Sequence, residues 1–347
     1  MITRKVFGTT PDGREVSLFA LAGSTMTACV TNLGACLQSI AVPDAKGAMA
    51  DVLLGYGSAD GYLANPAFLG ATVGPWANRV AGAAIDIDGT TYHMVANEGA
   101  NNNHSDAERG LHKLLWDARV DGERVVMTCV VPDGAYGLPG NRRIEAFFEV
   151  VGNRLRIRYH ATSDARTYVN MTSHSYFNLA GVGSGSAMGQ ELQIHATHYL
   201  PDGEGSIPTG ELRPVAGTPF DFREAKPLGR DIGAADEQLE QGGGYDRCFC
   251  LDGYDGEGTL CHACQASDPA SGRVLDVWTD QPGMLLYTGN YLGGIEGVGG
   301  AYADRSGFAL ECQHYPDAPH HDDFPQSWCG PGEDYVSRIE FAFSAVR

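Results

Sequence analysis

Two short stretches of this chain each join an apolar, strand-like run to an ionisable side chain. The first, residues 169–181, reads as a strand that runs into a turn, with His174 at the junction among Thr, Ser and Asn neighbours. The second, residues 307–316, reads as an apolar strand that ends in Glu311, and Pro316 stops the run. Histidine titrates near neutrality, and burial raises the pKa of a carboxyl group. Together they form a candidate acid/base pair.

Each of these residues also has an ordinary structural interpretation. Glu311 fits equally well as a carboxylate that pairs with an arginine inside the fold. A histidine at the end of a strand often only satisfies nearby backbone groups. The sequence pattern alone leaves both interpretations open.

Four loop-like segments carry more polar and aromatic residues than turns require: residues 70–80, 97–104, 242–247 and 281–290. Loops that gather at one edge of a sandwich can form a cleft. Sugar hydroxyls need mixed hydrogen-bond donors and acceptors, with an aromatic ring such as Trp76 or Tyr245 for stacking. The candidates of this kind are Asn78, Arg79, His104 and Asp246, although each also suits a turn.

The sequence does not favour a metal site. Cys261 and Cys264 have a CxxC spacing, but no second pair of this kind accompanies them. The histidine pairs His104/His112, His195/His198 and His320/His321 lack the strand or helix context of a metal site. We therefore expect no metal site.

The elements that must position these residues are mostly strands. Residues 154–160 and 338–343 alternate strictly between apolar and polar side chains, and Asp88-Gly89 separates two strand-like runs as a hairpin turn does. Residues 59–63 and 234–239 have room for one short helical turn each. The pattern predicts an all-β fold, a large antiparallel β-sandwich in one domain over residues 1–347.

Composition restricts the partners. With 24 basic and 43 acidic residues the formal net charge is −19, which argues against nucleic acid and anionic membrane surfaces. No apolar stretch approaches the roughly 20 residues that span a bilayer. The first residues lack the apolar core of a signal peptide, so we read the nine scattered cysteines as reduced thiols in the cytoplasm.

Several ordered blocks resemble the aldose 1-epimerase (galactose mutarotase) family. They are Asn78-Arg79-Val80, Asn97-Glu98-Gly99 leading to His104, residues 174–181 (HSYFNLAG), Gly244-Tyr245-Asp246, Tyr287-Thr288-Gly289-Asn290, residues 311–317 (ECQHYPD) and residues 331–335 (PGEDY). The resemblance implies a β-supersandwich with a solvent-open sugar cleft. It also implies a small-molecule sugar as the partner of a monomer or homodimer.

The same resemblance implies roles for individual residues. Glu311 would be the base and His174 the acid of ring opening, without cofactor or metal. His104 and Arg79 would hold the sugar near its ring oxygen, and Asp246 would bind distal hydroxyls. Asn78 and Gln313 are carried over as polar lining of the cleft.

The chain departs from the family pattern at loops that would contact the sugar. Pro75 stands where the family often has arginine, and Asn102 replaces the first histidine of the loop pair. Ser105 follows His104 in place of glycine, and Arg247 follows Asp246 in place of histidine. These changes leave the preferred aldose open. Arg109 and Arg247 would suit an anionic or longer sugar, or simply surface ion pairs.

Three other functions compete with that of an aldose 1-epimerase. A hexose-6-phosphate 1-epimerase would need a basic cluster for the phosphate, which the dispersed arginines do not provide. A carbohydrate-binding sandwich without chemistry has no need for His174 and Glu311 together. A glycoside hydrolase generally needs two carboxylates across one bond, and Asp246 is a poor second to Glu311.

Overall fold

The computed structural model describes residues 1–346, which form three larger antiparallel sheets and several short ladders. The five-strand sheet is, in spatial order, Ile2–Thr9, Glu15–Ala22, Thr27–Thr31, Cys36–Pro43 and Met49–Asp51. The nine-strand sheet is Asp117–Asp121, Arg124–Val131, Arg142–Val151, Arg154–Ser163, Tyr335–Ala345, Arg273–Thr279, Cys261–Ser267, Glu191–Ile194 and Lys226–Pro227. The six-strand sheet is Tyr176–Phe177, Phe308–Gln313, Gly283–Tyr287, Asp246–Cys250, His198–Tyr199 and Arg213–Pro214. The predicted all-β class, a large fold of antiparallel sheets, is confirmed.

Short elements connect the sheets. The two-strand ladders are Asn102–Asn103 with Arg79–Val80, Thr172–His174 with Ala71–Val73, Thr167–Tyr168 with Trp328–Cys329, Ala84–Ile87 with Thr90–His93, and Glu296–Gly297 with Gly300–Ala301. The α-helices are Ala59–Ala64 and Glu237–Gly242, and the 3-10 turns are Ala81–Ala83, Leu111–Lys113, Ala135–Gly137, Glu204–Ser206 and Ala318–His320. No helix within residues 1–346 combines the length and the apolar character needed to cross a membrane.

Both helical segments and the Asp88-Gly89 hairpin predicted from the sequence are present. The second helix begins at Glu237 rather than at residue 234, because the side chain of Asp236 caps it by accepting from the backbone N–H groups of Gln238 and Leu239. The interpretation of residues 281–290 as a loop was wrong, since Gly283–Tyr287 is a central strand of the six-strand sheet.

The largest buried cluster takes side chains from all three large sheets, including Phe19, Phe148 and Leu310. Phe177 of the six-strand sheet packs edge-on against Phe341 of the nine-strand sheet, with ring centroids 5.0 Å apart. This packing leaves the second face of the six-strand sheet free to carry polar groups.

Strand alternation determines which residues lie on that second face. In Phe308–Gln313, the side chains of Phe308, Leu310 and Cys312 enter the core cluster, so Glu311 and Gln313 point to the opposite side. The expectation that Glu311 ends its strand was therefore wrong. The strand continues through Gln313, whose backbone pairs with Gly283.

Candidate active site

A cavity of about 430 Å³ lies on the second face of the six-strand sheet. Its lining consists of Pro66, Ala67, Phe68, Asn78, Arg79, Glu98, Asn103, His104, His174, Tyr176, Asp246, Leu285, Tyr287, Tyr291, Leu292, Ile295 and Glu311. Six of the seven site residues expected from the sequence belong to this lining. Arg79, His174, Asp246 and Glu311 come from four different strands, and Asn78 and His104 lie in the segments beside strands Arg79–Val80 and Asn102–Asn103.

Glu311 and His174 meet in this cavity. Glu311 Oε1 lies 3.5 Å from His174 Nε2, and their side chains are 1% and 7% exposed. The backbone of His174 pairs with Ala71 and accepts a hydrogen bond from the N–H of Gly70, which fixes the strand end beside Glu311. Glu311 Oε2 and His174 Nδ1 are buried and have no hydrogen-bond partner in the protein. Such atoms are costly to bury and ready to interact with a ligand.

Burial favours the neutral forms of both side chains. Loss of hydration raises the pKa of Glu311 well above its ordinary value, with a further contribution from the negative charge of Asp246. Loss of hydration also lowers the pKa of His174 to about 4. Of the two side chains, Glu311 therefore holds a proton more readily, and the His174 ring is neutral at neutral pH.

His104 belongs to the same constellation. The backbone N–H of Asn78 donates to His104 Nδ1 at 3.1 Å, so the proton of the neutral ring must be on Nε2. Asn78 and His104 both adopt positive φ angles, 66° and 56°, which non-glycine residues rarely do. Burial lowers the pKa of His104 well below its ordinary value.

Arg79 is held by two carboxylates at one side of the cavity. It donates from Nε to Glu98 at 2.6 Å, and Asp246 lies 3.8 Å from its guanidinium group. Burial alone would lower the pKa of Arg79, but the charge of Asp246 and the hydrogen bond to Glu98 raise it. Among the described residues that line the cavity, Arg79 is the single permanent cation and it is offset by acids.

His104, His174 and Glu311 each place one possible ligand atom within 4.8 Å of the others. No other trio of this kind was found in residues 1–346. These three residues are the ones able to share a metal ion. The same three side chains, two histidines and a carboxyl group, are also of the types that transfer protons in general acid/base catalysis.

Three other residues singled out in the sequence lie away from the cavity. Gln313 is fully buried, does not line the cavity and has no protein partner for its amide, so its role in sugar binding stays a prediction. Arg247 is not on the surface: it is buried and donates to Gln238 at 2.6 Å. Arg109 is exposed and pairs with Asp106 at 3.2 Å, as expected of a surface ion pair.

The comparisons with known proteins agree with this geometry. The family model described as aldose 1-epimerase matches residues 17–342. Human galactose mutarotase is 39% identical over 349 residues, with 99% of each chain covered. The aldose 1-epimerase of Escherichia coli K12 is 38% identical, covering 96% of this chain and 97% of its own. The chain belongs to the aldose 1-epimerase family.

Solved structures extend the likeness to three dimensions. The galactose 1-epimerase from Lactobacillus acidophilus superimposes with a TM-score of 0.86 at 28% identity, covering 100% of this chain and 99% of its own. The aldose epimerase homologue from Caenorhabditis elegans superimposes with a TM-score of 0.85 at 28% identity, covering 94% of this chain and 98% of its own. The protein is thus an enzyme with aldose 1-epimerase activity, which interconverts sugar anomers.

Sequence reasoning missed several groups that line the cavity of this aldose 1-epimerase. Glu98 was visible in the Asn-Glu-Gly segment, but its bond to Arg79 was not. Phe68 had no sequence signal: its ring stacks 5.8 Å from that of His174, and its φ of 57° is unusual for a bulky residue. Leu285 and Tyr287 belong to segment 281–290, which was expected near the cleft, but neither side chain was assigned a role there.

Proposed function

We propose that this aldose 1-epimerase opens and recloses the ring of a neutral aldohexose such as galactose or glucose, with Glu311 and His174 as its acid/base pair. The observation that carries the proposal is the 3.5 Å separation of Glu311 Oε1 and His174 Nε2 in a cavity large enough for a sugar. Both side chains are nearly inaccessible to solvent, which keeps their proton for the reaction.

In the forward half of the reaction, Glu311 takes the proton from the O1 hydroxyl while His174 gives a proton to the ring oxygen O5. The C1–O5 bond breaks and an open-chain aldehyde forms. Rotation about C1–C2 then presents the other face of the carbonyl group. In the return half His174 takes the proton back from O5, and Glu311 returns its proton to O1 as the ring closes.

The proton balance of the pair suits this cycle. Burial raises the pKa of Glu311 and lowers that of His174, so a proton shared by the pair lies on Glu311 before a sugar binds. Sugar hydroxyls that donate to the carboxylate stabilise its charged form, so binding favours transfer of the proton to His174. A Glu/His pair that exchanges one proton serves both directions of a nearly thermoneutral reaction.

The surrounding groups would orient the ring. Arg79 and His104 would donate to oxygens near O5, and Asp246 and Asn78 would bind the remaining hydroxyls. The neutralised Arg79 favours an uncharged sugar over a sugar phosphate, because a phosphate would meet the carboxylates of Glu98 and Asp246 beside the only cation of the lining.

Polarimetry tests the proposal. Freshly dissolved α-D-galactose and α-D-glucose should lose rotation faster with the protein than without it and reach the same final value. We expect glucose 6-phosphate to be accelerated at least about tenfold less. No acceleration of either free sugar would contradict the proposal, and a preference for the phosphate would favour the hexose-6-phosphate alternative.

A further inference from the structure

Unpartnered polar atoms are concentrated around the acid/base pair. Besides Glu311 Oε2 and His174 Nδ1, three further side-chain atoms are buried and have no hydrogen-bond partner within residues 1–346. They are both amide atoms of Gln313 and the hydroxyl oxygen of Thr172, two residues that are fully buried. Buried polar groups are normally paired, and an unpaired one costs stability. Five such atoms on four residues therefore need an explanation.

Strand alternation places Gln313 and Thr172 next to the pair. Gln313 follows Glu311 by two residues on the strand Phe308–Gln313, so the two side chains share a face and start about 6.5 Å apart. Thr172 precedes His174 by two residues on its own short strand and shares the face of His174 in the same way. Each strand thus carries one member of the acid/base pair and, one step further along, one unpartnered polar side chain.

Contacts on both sides show that the two segments run next to each other here. On one side the acid/base pair itself is in contact. On the other side, the backbone N–H of His314 donates to the side chain of Asn170 at 2.9 Å. Thr172 and Gln313 lie between these two contacts in their respective segments. The free hydroxyl and the free amide are therefore neighbours behind the pair.

We propose that Gln313 is a positioning residue, which together with Thr172 holds a water molecule against Glu311 Oε2. A buried water typically makes about three hydrogen bonds to polar groups that have no other partner. The amide and the hydroxyl hold this water, and the water donates to the carboxylate once Glu311 has lost its proton. That bond stabilises the charged base and keeps Oε1 directed at the sugar. The inference rests on the proposed function, because it takes Glu311 as the base.

Gln313→Met tests the proposal, because methionine has a similar length and no amide. An amide that is merely unsatisfied costs stability, so its loss should give a more stable protein with unchanged activity. We expect instead that kcat for galactose falls about tenfold, the effect of one hydrogen bond to a charged group, while KM changes less than about twofold. Loss of the bond should also raise the pKa of Glu311 and move the alkaline limit of kcat/KM to higher pH. Asp246 and Arg79, which also act on this pKa, are unchanged in the variant.

Thr172→Val removes the second group and should lower kcat about threefold, whereas Thr172→Ser keeps the hydroxyl and should behave like wild type. Thr167→Val is the matched control and should leave kcat unchanged, because the Thr167 hydroxyl is equally buried and unpartnered but lies in another ladder. A Gln313→Met protein with the kcat and the pH profile of wild type overturns the proposal. If that variant does not fold, the same result for Thr172→Val overturns it. Failure of the wild-type protein to accelerate galactose mutarotation would instead overturn the proposed function, and the positioning role with it.

Discussion

Two histidine–glutamate pairs in this molecule have almost the same separation and different surroundings. In the cavity, His174 Nε2 lies 3.5 Å from Glu311 Oε1. On the outer face of the nine-strand sheet, His160 Nδ1 lies 3.4 Å from Glu145 Oε2. The outer pair has further partners: Asp334 bonds the second nitrogen of His160 at 2.9 Å, and Arg143 donates to Glu145 at 2.9 Å.

The hydrogen-bond partners of the two glutamates shift the pKa values of their carboxyl groups in opposite directions. Burial tends to raise the pKa of Glu145, but hydrogen bonds from Arg143 and His160 outweigh it and lower that pKa. Glu311 has no such donor, so burial raises its pKa. A carboxylate whose hydrogen bonds are satisfied stabilises structure, whereas an unsatisfied one retains a proton that it can exchange. Distance alone does not distinguish the two pairs.

Replacing the acid and base should show the largest difference between the pairs. We expect Glu311→Gln and His174→Asn each to lower kcat for galactose by about 10³-fold, because a positioned general acid or base contributes roughly 10²–10⁴ in rate. Glu145→Gln and His160→Asn should leave kcat within about twofold. The measurement is polarimetry, with circular dichroism to verify folding.

A folded Glu311→Gln protein with undiminished kcat would contradict the assignment of the base, and an equivalent result for His174→Asn that of the acid. A large decrease of kcat in Glu145→Gln would contradict the distinction between the two pairs.

The next largest expected difference concerns the two arginines beside these pairs, whose replacement should affect the kinetic constants differently. Arg79 faces the cavity and bonds Glu98, whereas Arg143 lies on the outer sheet face and bonds Glu145. We expect Arg79→Met to raise KM for galactose about tenfold and to lower kcat less, because Arg79 would mainly bind hydroxyls. Arg143→Met should change neither constant. A fall in kcat without a change in KM would assign Arg79 to proton transfer instead.

The pH profile should distinguish the cavity pair by its single proton. Below about pH 4, His174 becomes protonated while Glu311 also holds a proton. The value of kcat/KM should then decrease with a slope that approaches tenfold per pH unit. On the alkaline side kcat/KM should fall only above the ordinary range of a glutamate, when the pair loses its last proton. Phe68→Ala removes the ring stacked on His174, admits water and should move the acid limb to higher pH. An unmoved acid limb would show that Phe68 does not control the hydration of His174.

Much of this arrangement was readable in the sequence, because short-range patterns determine it. The hairpin at Asp88-Gly89, the all-β class and the family blocks depend on neighbouring residues, and all three are confirmed. The single domain, the cytoplasmic location and the oligomeric state stay predictions.

The rest depends on long-range pairing, which one sequence does not encode locally. Thr172–His174 pairs with Ala71–Val73, about a hundred residues earlier, and this pairing holds the strand end at which His174 lies 3.5 Å from Glu311. The apolar run before Glu311 gave no sign that the strand continues to Gln313. The burial of Arg247 follows from its contacts with the helix Glu237–Gly242, which no local pattern predicts.

The smallest expected effect is on the free energy of unfolding. Replacing Glu311 and replacing Glu145 should change it in opposite directions. A carboxyl group whose pKa is raised by folding contributes stability below its unfolded value of about 4.5, and loses that contribution as pH rises toward the folded pKa. Glu311→Gln removes this cost, so the variant should be more stable than wild type by about 1 kcal/mol at pH 8. The gain should shrink as the pH approaches 4.5. Glu145→Gln removes partly exposed ion pairs and should destabilise by about 0.5 kcal/mol. Urea unfolding at both pH values measures the two differences, and a destabilised Glu311→Gln protein at pH 8 would mean that the carboxyl group is satisfied in the folded state.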